Sequence, residues 1–252
     1  VLHTNDTHSC VMPINPNLAD TAMANRGGYL RRVAMIKQER KANPDLLLFD
    51  SGDFSQGSPY YNLYKGDVEV GLMNLMKYDA VAIGNHEFDK GIDTLAARIR
   101  QAKFPYVCCN YEVAGTPLEG LVKHYVVVKK DGLRVGILGL GVDPNKLILE
   151  SYFGGIKYTD PVKAANRYAE ILKNKEKCDF IIALSHLGYS SDPNVMSDSI
   201  LAANSRNIDL ILGGHTHEIR GKFNIKNLDN KTVSVMQAGK SAKEITATVV
   251  EY

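Results

Sequence analysis

An α/β fold, with helices outside and sheets within, is what this 252-residue sequence predicts. Strand-like apolar runs alternate with amphipathic helical stretches along most of the chain. From Gly221 onward the pattern turns all-β, and no repeat, low-complexity stretch or linker divides the sequence. The alternation implies crossover-connected strands, and a hairpin plus the C-terminal strands adds an antiparallel set. Two sheets packed face to face are therefore expected, in a single domain large enough to bury a sizeable core.

The elements follow in order. "VLHTN" opens the chain as a short strand, and residues 28–42 form a helix with apolar positions at Leu30, Val33 and Ile36. The basic run "RRVAMIKQERK" in that helix reads as a solvated face. "DLLLFD" is a strand, 67–77 a helix, "DAVAI" a strand, 91–102 a helix and "FPYVCC" a strand. Residues 122–129 and 133–140 flank "KKDG" as a β-hairpin. "TDPVKAANRYAEILKNK" is a helix with Asp160 as N-cap, Pro161 in the first turn and an inner stripe of Val162, Ala165, Tyr168 and Leu172. "DFIIALS" is a strand, 195–204 a helix and "IDLILGG" a strand. "GKFNIKNL", "TVSVMQAG" and "EITATVVEY" complete the β-rich end.

The composition excludes several classes. Hydrophobic residues make up 44% and charged residues 23%, with a net charge of +2. That balance gives no reason to expect a nucleic-acid or membrane-surface partner. No apolar run reaches the roughly 18 residues of a membrane span, and no signal peptide is visible. The chain opens at Val1, inside a strand and without Met, as expected of a processed or trimmed form. Cys10, Cys108, Cys109 and Cys178 fit neither a zinc ribbon nor a disulfide scaffold. Cys108 and Cys109 read as small core residues.

In α/β sheets ligands bind where loops leave the C-terminal ends of strands. Here the strand ends carry a recurrent chemistry. The first delivers Asp6 and His8, the second Asp53, the third Asn85, His86, Glu87 and Asp89 within "GNHEFDKG". Two later strands deliver His186, then His215 and His217 in "GGHTH". Each motif alone has an ordinary reading as a polar loop. Together they place five of the seven histidines at strand exits on one sheet edge. Nitrogen and oxygen donors without a thiolate suit two divalent cations better than a structural zinc site. Asp53, centrally placed, is the natural bridging carboxylate, and paired cations activate water and neutralise a phosphoryl group.

In chain order the motifs "DTH", "GDFSQG", "GNHE", "SH" and "GGHTH" resemble the calcineurin-like metallophosphoesterase superfamily. "LHTNDTHS", "GLMNLMKYDAVAIGNHEFDKG" and "QAG" are similar to the N-terminal catalytic domain of the 5′-nucleotidase family, and the resemblance spans nearly the whole chain. It implies a four-layered αββα sandwich of two mixed sheets flanked by helices. It also implies two divalent metal ions (Zn, Mn, Mg or Co), one held by Asp6, His8, Asp53 and His217, the other by Asp53, Asn85, His186 and His215. His86 and Asp89 become the catalytic pair, Asn85 and His86 the groups that meet substrate phosphate, and Glu87 an anchor of the loop. The implied reaction is hydrolysis of 5′-nucleotide monoesters by in-line attack of a metal-bridging hydroxide.

Two departures matter. Purple acid phosphatases place a Tyr ligand three residues after the bridging Asp, where this chain has Gln56, so a coloured iron site is not expected. Full-length relatives carry a C-terminal nucleotide-binding domain, whereas residues 1–252 read as the catalytic domain alone, with that partner deleted or separate. Other readings are a phosphodiesterase or pyrophosphohydrolase acting on cyclic nucleotides or UDP-sugars, a sulfur-oxidation hydrolase, and a non-catalytic binding module. The last is disfavoured because every expected ligand position is filled. A nuclease is disfavoured because no basic stripe is present. The resemblance implies export to the periplasm or cell surface.

Overall fold

The computed structural model describes residues 1–145 and 147–250. In chain order the elements are β1 (Leu2–Thr4), α1 (Tyr29–Ala42), β2 (Leu48–Asp50), α2 (Pro59–Tyr64), α3 (Asp67–Met76) and β3 (Ala80–Ala82). A turn of 3₁₀ helix (His86–Phe88) precedes α4 (Ile92–Gln101), β4 (Tyr106–Val107), β5 (Tyr111–Glu112), β6 (Val122–Lys123), β7 (Tyr125–Lys130) and β8 (Leu133–Leu140). Then come α5 (Glu150–Phe153), β9 (Lys157–Tyr158), α6 (Pro161–Asn174), β10 (Phe180–Ser185), α7 (Asp198–Ala203) and β11 (Leu210–Gly213). β12 (Ile219–Lys226), β13 (Thr232–Ala238) and β14 (Thr246–Ala247) follow.

Two six-stranded sheets form, in the orders β14-β1-β2-β3-β4-β6 and β12-β13-β11-β10-β8-β7, with β5 and β9 as a separate ribbon. The first sheet is parallel except for β14. The second is parallel at its centre and closed at each end by an antiparallel strand. Alternation along the strands produces the layers. Phe49, Ala80, Ala82 and Val107 meet Ile137, Ile182, Leu184 and Leu212 in the core between the sheets. Leu48, Val81 and Tyr106 face the other way, onto Ile36 of α1, Met73 of α3 and Leu95 of α4. Leu138, Ile181, Ala183 and Ile211 pack on Ala165, Ala169 and Leu172 of α6 and Leu201 of α7. The expected αββα sandwich is therefore present. Among the described residues no helix is long and apolar enough to cross a membrane.

Several local expectations are corrected. Residues 122–129 are not one hairpin arm: Val122 and Lys123 extend the first sheet beside β4, and from Tyr125 the chain joins the second. The hairpin itself closes on Asp131 and Gly132, both with positive φ (46° and 77°), the backbone of a two-residue type I′ turn. In α1 the buried stripe is Tyr29, Arg32, Val33 and Ile36, while Leu30 is exposed. One charge of that "solvated" face, Arg32, is thus buried, stacked 5.7 Å from the Tyr29 ring. In α6, Asp160 caps as expected, its carboxylate accepting from Lys163 N at 3.0 Å. Val162 is only half-buried there, and Ala164 and Ala169 complete the inner face. The helix expected at 195–204 begins only at Asp198. Helices α2 and α5 and the β5–β9 ribbon were not expected.

Candidate metal centre

The chemistry-bearing loops leave β1, β2 and β3 of one sheet and β10 and β11 of the other, so the site sits where the two sheets present their C-terminal ends together. Backbone bonds tie the loops across that edge. Asp6 N donates to Gly52 O (2.9 Å), and His215 N donates to Asp6 Oδ2 (2.9 Å), crossing from one sheet to the other. Gly84 explains its own place: a Cβ there would overlap the Asp53 carboxylate. Only glycine lets the third loop come this close to the second.

Six of the seven predicted ligands fall into close sets, and the seventh, Asn85, precedes His86 in the third loop with its Oδ1 buried and unpartnered. Ligand atoms of Asp6, His8 and His217 lie within 4.8 Å of one another, as do those of Asp53, His186 and His215. A third set, His8, Asp53 and His86, joins the two around Asp53. Specific separations include His8 Nε2 to His217 Nε2 at 2.9 Å, His217 Nε2 to Asp6 Oδ1 at 3.4 Å and His186 Nε2 to Asp53 Oδ2 at 3.1 Å. Five of the seven residues hold positive φ: Asp6, His8, Asp53, His215 and His217. Left-handed backbone costs a non-glycine residue about 1–2 kcal/mol. Its concentration here fits a site whose geometry is imposed by the surrounding fold.

The donor set fits cations. Asp6 Oδ1, His8 Nδ1, Asn85 Oδ1 and His186 Nε2 are buried without a hydrogen-bond partner. Buried polar atoms are almost always satisfied, and orphans on four of the predicted ligand residues fit a positive centre. His186 is also set in the right tautomer. Its Nδ1 lies 2.6 Å from Ser51 O, which can only accept, so Nδ1 carries the proton and Nε2 turns a lone pair toward the site.

Electrostatics agree. Burial would raise Asp53, but His186, His86 and His8 hold it well below the usual carboxylate range. Burial would lower His186, yet the Asp53 carboxylate outweighs it and lifts the imidazole to about 10. Burial, then the His186 charge, depress His215 to about 4, and burial lowers His8. Asp53 is thus held ionised and His8 and His215 are kept neutral, the states a cation binds, while the proton on His186 stands where a cation would take its place.

His86 differs. Its Nδ1 is 2.9 Å from Asp89 Oδ2, and that hydrogen bond raises its pKa above the ordinary value. Its backbone N–H donates to Asp53 Oδ1 at 2.9 Å. Glu87 turns away from the cluster: Oε2 accepts from Asp53 N (2.8 Å) and Gly84 N (2.7 Å), and Oε1 from Ser55 N (3.1 Å). Burial, and after it the Asp53 charge, raise Glu87 to about 7.

Two positioning residues escaped the sequence reading. Asn5 donates to Asp6 Oδ2 (2.6 Å) and Gly239 O (2.8 Å) and accepts from Ala238 N (2.8 Å). Gln237 Oε1 accepts from Glu218 N (2.6 Å) and Thr216 Oγ1 (3.2 Å), while its Nε2 donates to Gly214 O, fastening the His215–His217 loop. A signal was present: Gln237 lies in the buried stretch Val235–Ala238 that ends β13, where an amide is retained only with partners. Among the cysteines, Cys108, Cys109 and Cys178 are buried and Cys10 half-buried, all free.

Residues 1–218 match the family described as calcineurin-like phosphoesterase. Human 5′-nucleotidase is 30% identical over 272 residues, covering 100% of this chain and 46% of that protein. Snake venom 5′-nucleotidase of Naja atra is 32% identical over 222 residues, covering 86% of this chain and 40% of the relative. The crystal structure of a 5′-nucleotidase precursor from Thermus thermophilus superimposes with a TM-score of 0.84 at 31% identity, over 97% of this chain and 49% of the other. The chain thus spans about half the length of the curated relatives it matches.

Proposed function

This chain belongs to the calcineurin-like phosphoesterase family of metal-dependent phosphoester hydrolases, and we propose that it hydrolyses nucleotide phosphomonoesters at a two-cation centre. The observation that carries the reading is a chain of three ligand groups, Asp6–His8–His217, His8–Asp53–His86 and Asp53–His186–His215, linked through His8 and Asp53, on residues several of whose buried polar atoms have no hydrogen-bond partner. Asp6, His8, Asp53 and His217 would hold one cation, and Asp53, Asn85, His186 and His215 the other. When bound, the cations neutralise the phosphoryl oxygens and acidify the attacking water.

The remaining work falls to the chain itself. The His86–Asp89 hydrogen bond fixes the imidazole and favours its protonated form. His86 then faces the phosphate as a donor. As the bond from water oxygen to phosphorus forms and the bond to the leaving oxygen breaks, His86 passes its proton to that oxygen and is reprotonated from solvent. Glu87, Asn5 and Gln237 touch no reacting atom and hold the loops that do. Positioning and charge neutralisation dominate such phosphoryl transfer.

The nucleotide part of the proposal is supported by relatives named as 5′-nucleotidases. Those relatives are longer, and the proposal leaves recognition of the base to a further unit, covalently joined or separate. A venom protein among them supports a location outside the cytoplasm, which fractionation of the native source would check. The direct test is phosphate release from AMP after chelation and return of Mn²⁺ or Zn²⁺. Metal-restored turnover that drops ~10²–10⁴-fold in His86→Ala is expected. No turnover with any cation on AMP or phenyl phosphate would overturn the hydrolase reading. Release from phenyl phosphate but not AMP would remove the nucleotide assignment alone.

A further inference from the structure

A cavity of ≈ 610 Å³ opens beside His8, His86 and His217. It lies on the side of the centre that holds the proton donor, away from His186 and His215, so a leaving group protonated by His86 departs into it. Met12 and Tyr60 contribute to an apolar wall, Gln56 and Ser58 to a polar one, and no lining residue is a carboxylate. The one lysine of the lining is Lys240.

Lys240 is held in place by its neighbours. Gly239 N donates to Glu218 O at 2.8 Å, beside His217, and Ser241 N donates to Asp6 O at 2.7 Å. The residues before and after the lysine are thus both fastened to ligand loops, which fixes its backbone at the cavity wall. None of the ion pairs among the described residues engages it. An exposed ammonium with no counter-charge, at the wall of a cavity without acids, favours an anionic occupant. A cleaved monophosphate ester of a neutral alcohol would bring no charge there, because its phosphate stays on the cations.

We propose that Lys240 forms a second anion subsite that binds a phosphate carried by the leaving group, so that the centre that cleaves nucleotide monoesters also takes nucleoside diphosphates, cleaved at the terminal phosphorus. The inference rests on the hydrolase reading above. In the step it describes, water oxygen bonds to the terminal phosphorus and the bridging P–O bond breaks. His86 protonates the released bridging oxygen, and orthophosphate and a nucleoside monophosphate leave. Lys240 stabilises the second phosphate in both substrate and product, and touches no bond that changes.

The test compares Lys240→Ala and Lys240→Arg with the wild type, all loaded with Mn²⁺. Activity is read as the ratio of kcat/KM for ADP to kcat/KM for phenyl phosphate. Binding is read by calorimetry with pyrophosphate against orthophosphate. The expected result is at least a tenfold fall in the ADP ratio for Lys240→Ala, less than threefold for Lys240→Arg, and pyrophosphate binding weakened more than orthophosphate binding. An unchanged ratio, or equal losses on both substrates, overturns the subsite. A wild type that hydrolyses neither ester defeats the hydrolase reading instead. Calorimetry then decides the subsite alone, and equal weakening of both anions by Lys240→Ala overturns it.

Discussion

Replacing Glu87 tests how the site is held together. Its carboxylate is buried and accepts three backbone N–H bonds, from Asp53, Gly84 and Ser55, at 2.8, 2.7 and 3.1 Å. It therefore staples the loop after β2 to the loop after β3. In Glu87→Gln, one oxygen can still serve Asp53 and Gly84, but the amide NH₂ then faces the Ser55 N–H and leaves a buried donor unsatisfied. That costs about 2 kcal/mol, or roughly 4–8 °C in Tm for a chain of this size. Glu87→Ala removes both acceptor oxygens, leaves three backbone N–H groups unpaired and costs about 3–6 kcal/mol. Displacing Asp53 also weakens cation binding, by ~10–100-fold where supporting residues of metal sites are lost. Thermal unfolding of chelated and Mn²⁺-loaded protein, with a Mn²⁺ titration of each variant, reads both effects. Glu87→Ala unfolding within about 1 °C of wild type, with unchanged Mn²⁺ affinity, would refute the clamp.

Two further outcomes are expected. Gly84→Ala drives a methyl into the Asp53 carboxylate and should lower metal-restored turnover by ~100-fold; an active Gly84→Ala would show that the two loops need not approach this closely. Asp50 is buried beneath the site, and that burial raises it to about 7 despite bonds from Thr4 Oγ1 (2.5 Å) and Gly52 N (2.9 Å). Because its folded pKa lies above its unfolded value, its stabilisation is complete below about pH 4 and is lost as pH rises through about 7. Wild type should therefore lose stability relative to Asp50→Asn across that window, by at most about 1.4 kcal/mol per pH unit; a pH-independent difference in denaturant unfolding would contradict this.

Much of the fold was legible because strand and helix periods are local. The α6 stripe at Ala165, Tyr168 and Leu172 and the Asp160 cap follow from spacing alone. What was not legible depends on partners distant in sequence. The run 122–129 is continuous, and only the presence of two sheets decides that Val122 pairs with Tyr106 while Tyr125 pairs with Leu138. In α1, Tyr29 and Arg32 displace Leu30 from the buried face because Tyr29 OH reaches Thr7 Oγ1 at 2.5 Å and Arg32 Nη2 reaches Glu244 O at 3.2 Å. Helix α2 is too short to show a period, although Ser58 and Pro59 mark its start and the left-handed Lys65 its end. The donors of the centre could be read because metal-capable side chains gathered at strand ends. Asn5 carried no such signal, and the value of Gln237, an amide in a buried strand, lies in backbone groups that only the folded chain brings within reach.

The central claim is a two-cation centre that shares Asp53. Equilibrium dialysis of the chelated protein against Mn²⁺, followed by elemental analysis, measures it most directly, with His8→Ala and His215→Ala alongside. The account predicts two ions per chain in the wild type, and selective weakening of a different ion in each variant. One ion per chain, or variants that leave the count and both affinities unchanged, would contradict it.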